Sequence, residues 1–179
     1  MLVGWKVRKC NNIPSDLQPP DYYCKGKPYW FFRHLQGENI DVDVVDINYN
    51  WRLWEQFEKK ILHLYIGQFL KNILNLRNYD LILSHGAQSG VFLSFVRSLI
   101  GTKHPPHIII DIGALNGGRE KTNELALFRF AMRSVAGLIY HVRQQELHYQ
   151  RYFPELSIRT RFVAFGPDID LFAPMPEVS

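Results

Sequence analysis

The chain has 179 residues, of which 46% are apolar, 14% aromatic and 21% charged. That composition suits one packed domain and excludes a disordered or fibrous chain. Its 21 Lys and Arg against 17 Asp and Glu give a net charge of +4. This mild basicity favours anionic partners without choosing among phosphates, nucleic acid and an anionic membrane face, and an ordinary solvated surface explains it better than any of them.

Leu2 to Val7 reads as a first strand. Lys6, Arg8 and Lys9 interrupt the opening residues, so these do not form a secretory leader. Cys10 and Cys24, the two cysteines, make no CxxC pair and no metal spacing. They exclude a disulfide-rich secreted scaffold and fit a reducing compartment. Asn11 to Lys27 is polar and rich in Pro, Asp and Tyr, which predicts a long loop. Pro28 suits the first turn of a helix through Tyr29, Phe32 and Leu35 that ends near Gly37. Ile40 to Ile47 alternates and then turns apolar, which predicts a strand. From Trp51 to Arg77 the apolar residues Trp54, Phe57, Ile61, Tyr65, Phe69, Ile73 and Leu76 recur at steps of three or four, the mark of one helical face.

The second half is more regular. Asp80 to Ser84 is an apolar strand ended by His85-Gly86, and Ala87 to Ile100 is a helix closed by Gly101. Pro105-Pro106 precedes a strand over His107 to Asp111. A loop from Gly113 to Gly118 leads to a helix over Glu120 to Ser134. A strand at Gly137 to Val142, a helix at Gln144 to Phe153 and a strand at Arg161 to Phe165 complete the pattern. Strands separated by helices predict βαβ units, hence an α/β, Rossmann-like three-layer sandwich on a mostly parallel sheet. No apolar run approaches the ~18 residues that cross a membrane.

In such a sheet, ligands sit outside the carboxyl ends of the strands. The rule selects His85-Gly86, Asp111 to Gly118, Arg143 and Gly166 to Asp170. No GxGxxG fingerprint, Walker lysine, GxSxG elbow, HExxH pair or Cys/His quartet occurs. His85 after a buried strand can hydrogen-bond a substrate hydroxyl or carry a proton. On these residues alone, a histidine that caps the next helix or bonds backbone is the stronger alternative. The segment Ser84 to Gly90 opens a helix whose free N–H groups suit an anion, and simple capping by Ser84 or Gln88 explains it equally well. The helix from Trp51 has five basic residues (Arg52, Lys59, Lys60, Lys71, Arg77) against Glu55 and Glu58. Trp51 and Trp54 at its head fit a non-enzymatic module that docks on a partner or an anionic membrane surface. A core helix with a solvated basic face explains most of it. The scattered basic residues, with no RNP, KH or helix-turn-helix signature, speak against nucleic acid.

Tyr79-Asp-Leu-Ile-Leu-Ser-His-Gly-Ala-Gln-Ser-Gly90 and Phe165-Gly-Pro-Asp-Ile-Asp-Leu-Phe172, in that order and spacing, resemble the N-terminal half of GT-B glycosyltransferases of the retaining, family 4 type. The resemblance runs from about Lys27 to Pro174. It implies an enzyme that moves a sugar from a nucleotide-sugar to the hydroxyl of a glycan or lipid-linked acceptor, with retention. This half would take the acceptor, and His85 with Gly86 would reach the donor sugar. Asp168 matches the aspartate of the family's FGVD crossover motif. Asp111, Gly113 and Asn116 fall on the acceptor-side loop. Ile112 stands where many members carry a histidine. Lys25 and Lys27 stand near the place of the family's Gly-Gly loop, in reach of phosphate or an acidic acceptor. Arg143 replaces the usual serine and offers a second anion contact. The resemblance implies no metal, a cytoplasmic location or the inner membrane face, and a second Rossmann-like domain that holds most of the donor. That domain would lie beyond Ser179 in the same gene or on a separate chain, and without it little turnover is expected.

Overall fold

Short apolar runs punctuated by Gly and Pro become the strands of one parallel sheet, and the segments between them become its helices. The computed structural model describes residues 1–13, 15–33, 40–47, 52–58, 60, 65–73, 75–113 and 122–164. Its elements in chain order are β1 (Leu2–Val3), β2 (Arg8–Cys10), β3 (Tyr22–Cys24), α1 (Arg52–Phe57), α2 (Ile66–Asn72), β4 (Ile82–His85), α3 (Ala87–Leu99), β5 (His107–Asp111), α4 (Thr122–Met132), β6 (Gly137–Tyr140), α5 (Arg143–Tyr152), α6 (Pro154–Ser157) and β7 (Thr160–Phe162). Five strands form one sheet in the order β1-β4-β5-β6-β7, and every pairing is parallel. The fold is therefore the α/β, Rossmann-like sandwich that the alternation of strands and helices predicts.

Strand register decides which side chains share a face. Ser84 pairs with Ile109 and Ile109 with Leu138, so these three point the same way. Ile109, Leu138 and Tyr140 pack with Met132 of α4, Tyr149 of α5 and Phe153 just after it into one buried cluster. Leu2, Ile82, Leu93 and Phe69 form a second cluster beneath α2 and α3. The alternate residues Leu83, Ile108, Ile110 and Ile139 are only half-buried, and Val3 on that face joins Val7, Tyr29 and Val44 in a third cluster.

The N-terminal third departs from its expected elements. The first strand is limited to β1, and the expected loop over Asn11–Lys27 contains β3, which pairs in parallel with β2. The expected helix after Pro28 is a single 3-10 turn at Trp30–Phe32 within the described residues. The expected strand over Ile40–Ile47 is reduced to one bridge, Leu2 to Val45. The long periodic helix divides into α1 and α2. Between them the buried Glu58 accepts hydrogen bonds from the Trp54 indole at 2.8 Å and from the Gly67 N–H at 2.6 Å. A carboxylate on the first turn of α2 satisfies an orphan N–H and suits the helix dipole, so the chain restarts the helix there.

Candidate functional site

A topological switch point lies between β1 and β4. From β1 the chain passes outward to Val45, which bridges Leu2 on its outer side. It then crosses to β4 on the other side. A crevice opens where strand order reverses, outside the carboxyl ends. The structure holds a cavity of about 510 Å³ at that place. Its floor comes from strand ends: His85 of β4, Asp111 and Ile112 at β5, and His141 after β6. Its walls are Trp5, Pro20, Trp30 and Phe31. Residues from six separate stretches of the chain thus meet in one predominantly apolar pocket, the usual make-up of a small-molecule site.

His85 sits in register with Val3, at the last position of β4. Its ring meets Trp5 edge-on with centroids 4.9 Å apart, and Phe31 at 5.1 Å. Nδ1 is buried with no hydrogen-bond partner. Burial, and secondly the neighbouring His141, lower its pKa from 6.5 to about 4. The imidazole is therefore neutral at physiological pH and acts as a hydrogen-bonding group, not as an acid poised near 7. Gly86 follows with φ +90°, a conformation that side chains rarely adopt, and its N–H donates to the Ile110 carbonyl at 2.9 Å. The turn sends the chain straight from β4 into α3 and leaves His85 at the crevice.

Asp111 is buried at the end of β5 and lines the same cavity. Its carboxylate accepts from the Gln145 amide at 2.8 Å, from the Tyr149 hydroxyl and from the Gly113 N–H at 3.0 Å. Burial, with the adjacent carboxylate second, pushes the Tyr149 phenol upward, so it remains a donor. Gln145 also accepts from the Val142 N–H at 3.1 Å, which closes the first turn of α5. Asp111 thus ties α5 and the turn at Gly113 to the sheet.

The other residues selected from the sequence are scattered. Gly113 lies on that turn with φ +110°. Lys25 and Lys27 are exposed beyond β3 and do not line the cavity. Arg143, exposed at the start of α5, stacks over the Phe162 ring at 5.3 Å. Asn116 and Asp168 lie outside the described residues. Of the two tryptophans proposed for a membrane contact, Trp51 also lies outside them, and Trp54 is half-buried and bonded to Glu58.

Several wall residues carried no signal that the sequence reading used. His141 follows β6 as His85 ends β4, so the same strand-end rule points to it; its Nδ1 donates to the Val163 carbonyl at 2.7 Å. Trp5, Pro20, Trp30 and Phe31 come from segments with little regular structure and are brought together only by tertiary packing. The Pro20 carbonyl accepts from the Trp5 indole at 3.4 Å and from the Tyr29 hydroxyl at 2.9 Å, which holds that wall in place.

No known protein-family model matches the chain, and no curated protein matches it in sequence. Among the described residues no group of three or more His, Cys, Asp or Glu is placed to hold a metal ion. No helix among them is long and apolar enough to cross a membrane. At the opposite, amino ends of the strands a second cavity of about 460 Å³ lies between α2 and α3. There the buried Arg97 donates from Nη2 to the Pro105 carbonyl.

Proposed function

We propose that the chain is the acceptor-side half of a retaining glycosyltransferase, which passes a sugar from a nucleotide-sugar to an acceptor hydroxyl. The observation that carries this reading is His85: a neutral imidazole at the switch-point cavity, with Nδ1 unsatisfied and aromatic rings on two sides. The apolar face of a pyranose ring packs on such rings, while its hydroxyls supply the missing hydrogen-bond partner. A buried nitrogen without a partner costs about 1–3 kcal/mol, which a ligand hydroxyl recovers on binding. In this reading His85 orients the donor sugar and Trp5, Trp30 and Phe31 hold the ring against it. The diphosphate that leaves needs cationic contacts, and Lys25, Lys27 and Arg143 do not line the cavity. Those contacts belong to a second domain, so the chain alone turns over little or no substrate. The resemblance around Tyr79 to Gly90 points the same way, to the cytoplasm or the inner membrane face, and to a reaction without a metal.

Calorimetric titration with UDP-, GDP- and ADP-sugars, and with the corresponding free sugars, tests the reading. Weak binding of the sugar moiety, abolished in His85→Ala with the fold retained by circular dichroism, is the expected result. Sugar binding unchanged in His85→Ala, or no binding to any sugar in the panel, sinks it.

A further inference from the structure

Cys10 and Cys24 are distant in sequence and fall into no recognised spacing, yet the fold makes them direct partners. β2 and β3 pair in parallel with Cys10 opposite Cys24. Their sulfurs are 3.3 Å apart, and both are free thiols. A disulfide requires about 2.05 Å between sulfurs and neighbouring Cα positions, which register partners on adjacent strands supply. The sulfurs need to approach by only about 1 Å, within the reach of side-chain rotation. Cys24 is buried and Cys10 is partly exposed, so the pair has one thiol open to solution and one held behind it. These are the chain's two cysteines, so no competing intramolecular pairing exists.

We propose that Cys10 and Cys24 are a reversible dithiol–disulfide site, oxidised by a small disulfide such as glutathione disulfide. The Cys10 thiolate attacks one sulfur of the oxidant, whose S–S bond breaks and releases one glutathione as thiolate. The Cys24 thiolate then attacks the Cys10 sulfur of the mixed disulfide, and the second glutathione leaves. Two protein thiols lose two hydrogens, and the oxidant gains them as two molecules of reduced glutathione. Burial, followed by the hydrogen bond with Cys24, pushes the Cys10 thiol up, so the first step speeds as pH rises. The bridge closes the loop from residue 10 to residue 24. That loop contains Pro20, the wall residue whose carbonyl holds Trp5 and Tyr29. Oxidation therefore tethers one wall of the switch-point cavity to the β2–β3 pair. The site stands on geometry outside the catalytic proposal and holds whatever ligand the cavity takes.

The test is equilibration of the native 179-residue chain in buffers of reduced and oxidised glutathione, followed by acid quench, alkylation and intact mass. The expected product in oxidising buffer is a monomer that has lost two hydrogens and takes up no alkylating agent. Cys10→Ser and Cys24→Ser, which cannot close the bridge, should stop at a single glutathione adduct or a free thiol. A chain that keeps two alkylatable thiols in fully oxidised glutathione, or that bridges only in denaturant, overturns the proposal. Thermal midpoints give a second reading. The bridged form should melt several degrees above the reduced form, because the cross-link restricts the unfolded chain. An equal or lower midpoint would mean that the native β2–β3 pairing does not accommodate the bond, and would also overturn the proposal.

Discussion

Two histidines in this chain differ in what burial does for them. His107 is fully buried in β5, with Ser84 Oγ 2.8 Å from Nε2 and Ser94 Oγ 3.0 Å from Nδ1. Burial, and secondly Arg97, hold its pKa at about 3 against 6.5 in the unfolded chain. Between those two values the unfolded state binds a proton that the native state refuses. Stability is therefore intact above pH 6.5 and falls as pH drops through that window, by up to about 1.4 kcal/mol per pH unit. Urea denaturation should show a loss of about 2 kcal/mol from this residue between pH 7 and pH 5. His107→Gln, less stable at both pH values, should lose correspondingly less on acidification; an identical pH difference in the variant would refute the assignment. His85 sits at a cavity, where its low pKa shapes binding. Any ligand held by its neutral ring should bind with constant affinity from pH 8 to pH 5 and weaken towards pH 4. A binding midpoint near 6.5 in the titration would contradict a desolvated ring. His85 was legible from the sequence because it ends an apolar strand before glycine. Its neutrality was not, because that depends on Trp5, Phe31 and His141 arriving from elsewhere.

At the scale of elements, close approach between α3 and the sheet decides what the chain tolerates. A Cβ on Gly90 would lie 3.0 Å from Ile109 Cδ1, Ile109 Cγ1 and Ser84 Cβ. Helix propensity alone favours Gly→Ala by about 1 kcal/mol, but overpacking a core typically costs about 1–3 kcal/mol. Gly90→Ala should therefore destabilise the protein by up to about 2 kcal/mol in chemical denaturation, the overpacking cost less the helix-propensity gain. Gly137 is the control. Its nearest neighbours would be Ile108 Cγ1 at 3.6 Å and the Arg159 carbonyl at 3.7 Å, ordinary contacts, so Gly137→Ala should change stability by no more than about 0.5 kcal/mol. If the two variants behave alike, the α3–sheet packing described here is wrong. The elements of the second half were legible because Gly86, Gly101, Pro105 and Gly137 bound runs with one clear period. The division into α1 and α2 was not, because both keep the same apolar phase and the break is made by Glu58 folding back on Gly67. β2 and β3 escaped for a different reason. Each has three residues, and a parallel pair with a proline-rich connection has no hairpin signature.

For the whole molecule, the strand-end rule selected residues of the cavity floor, His85 and Asp111 among them, and the tertiary fold supplied most of the cavity's surface. His85 and Asp111 came from that rule, while Trp5, Pro20, Trp30 and Phe31 depend on how the first third of the chain folds around the third cluster that it forms itself. The rule also selected Arg143 and missed His141, two residues before it, because turn positions after a strand cannot be told apart without knowing where the strand ends. One consequence concerns the order of events during synthesis. The cavity draws on residues from Trp5 to Gln145, and among the described residues every pairing in its sheet is parallel, with no antiparallel pair to close locally. Parallel pairings close long loops before they gain contacts, so they form slowly. A ribosome must release most of the chain before any ligand has a place to bind. A cavity ligand should thus leave the refolding rate unchanged and slow unfolding in proportion to its occupancy in stopped-flow experiments; ligand-accelerated refolding would mean that the pocket assembles early. The molecule cannot be guided to its fold by what it binds, only kept there.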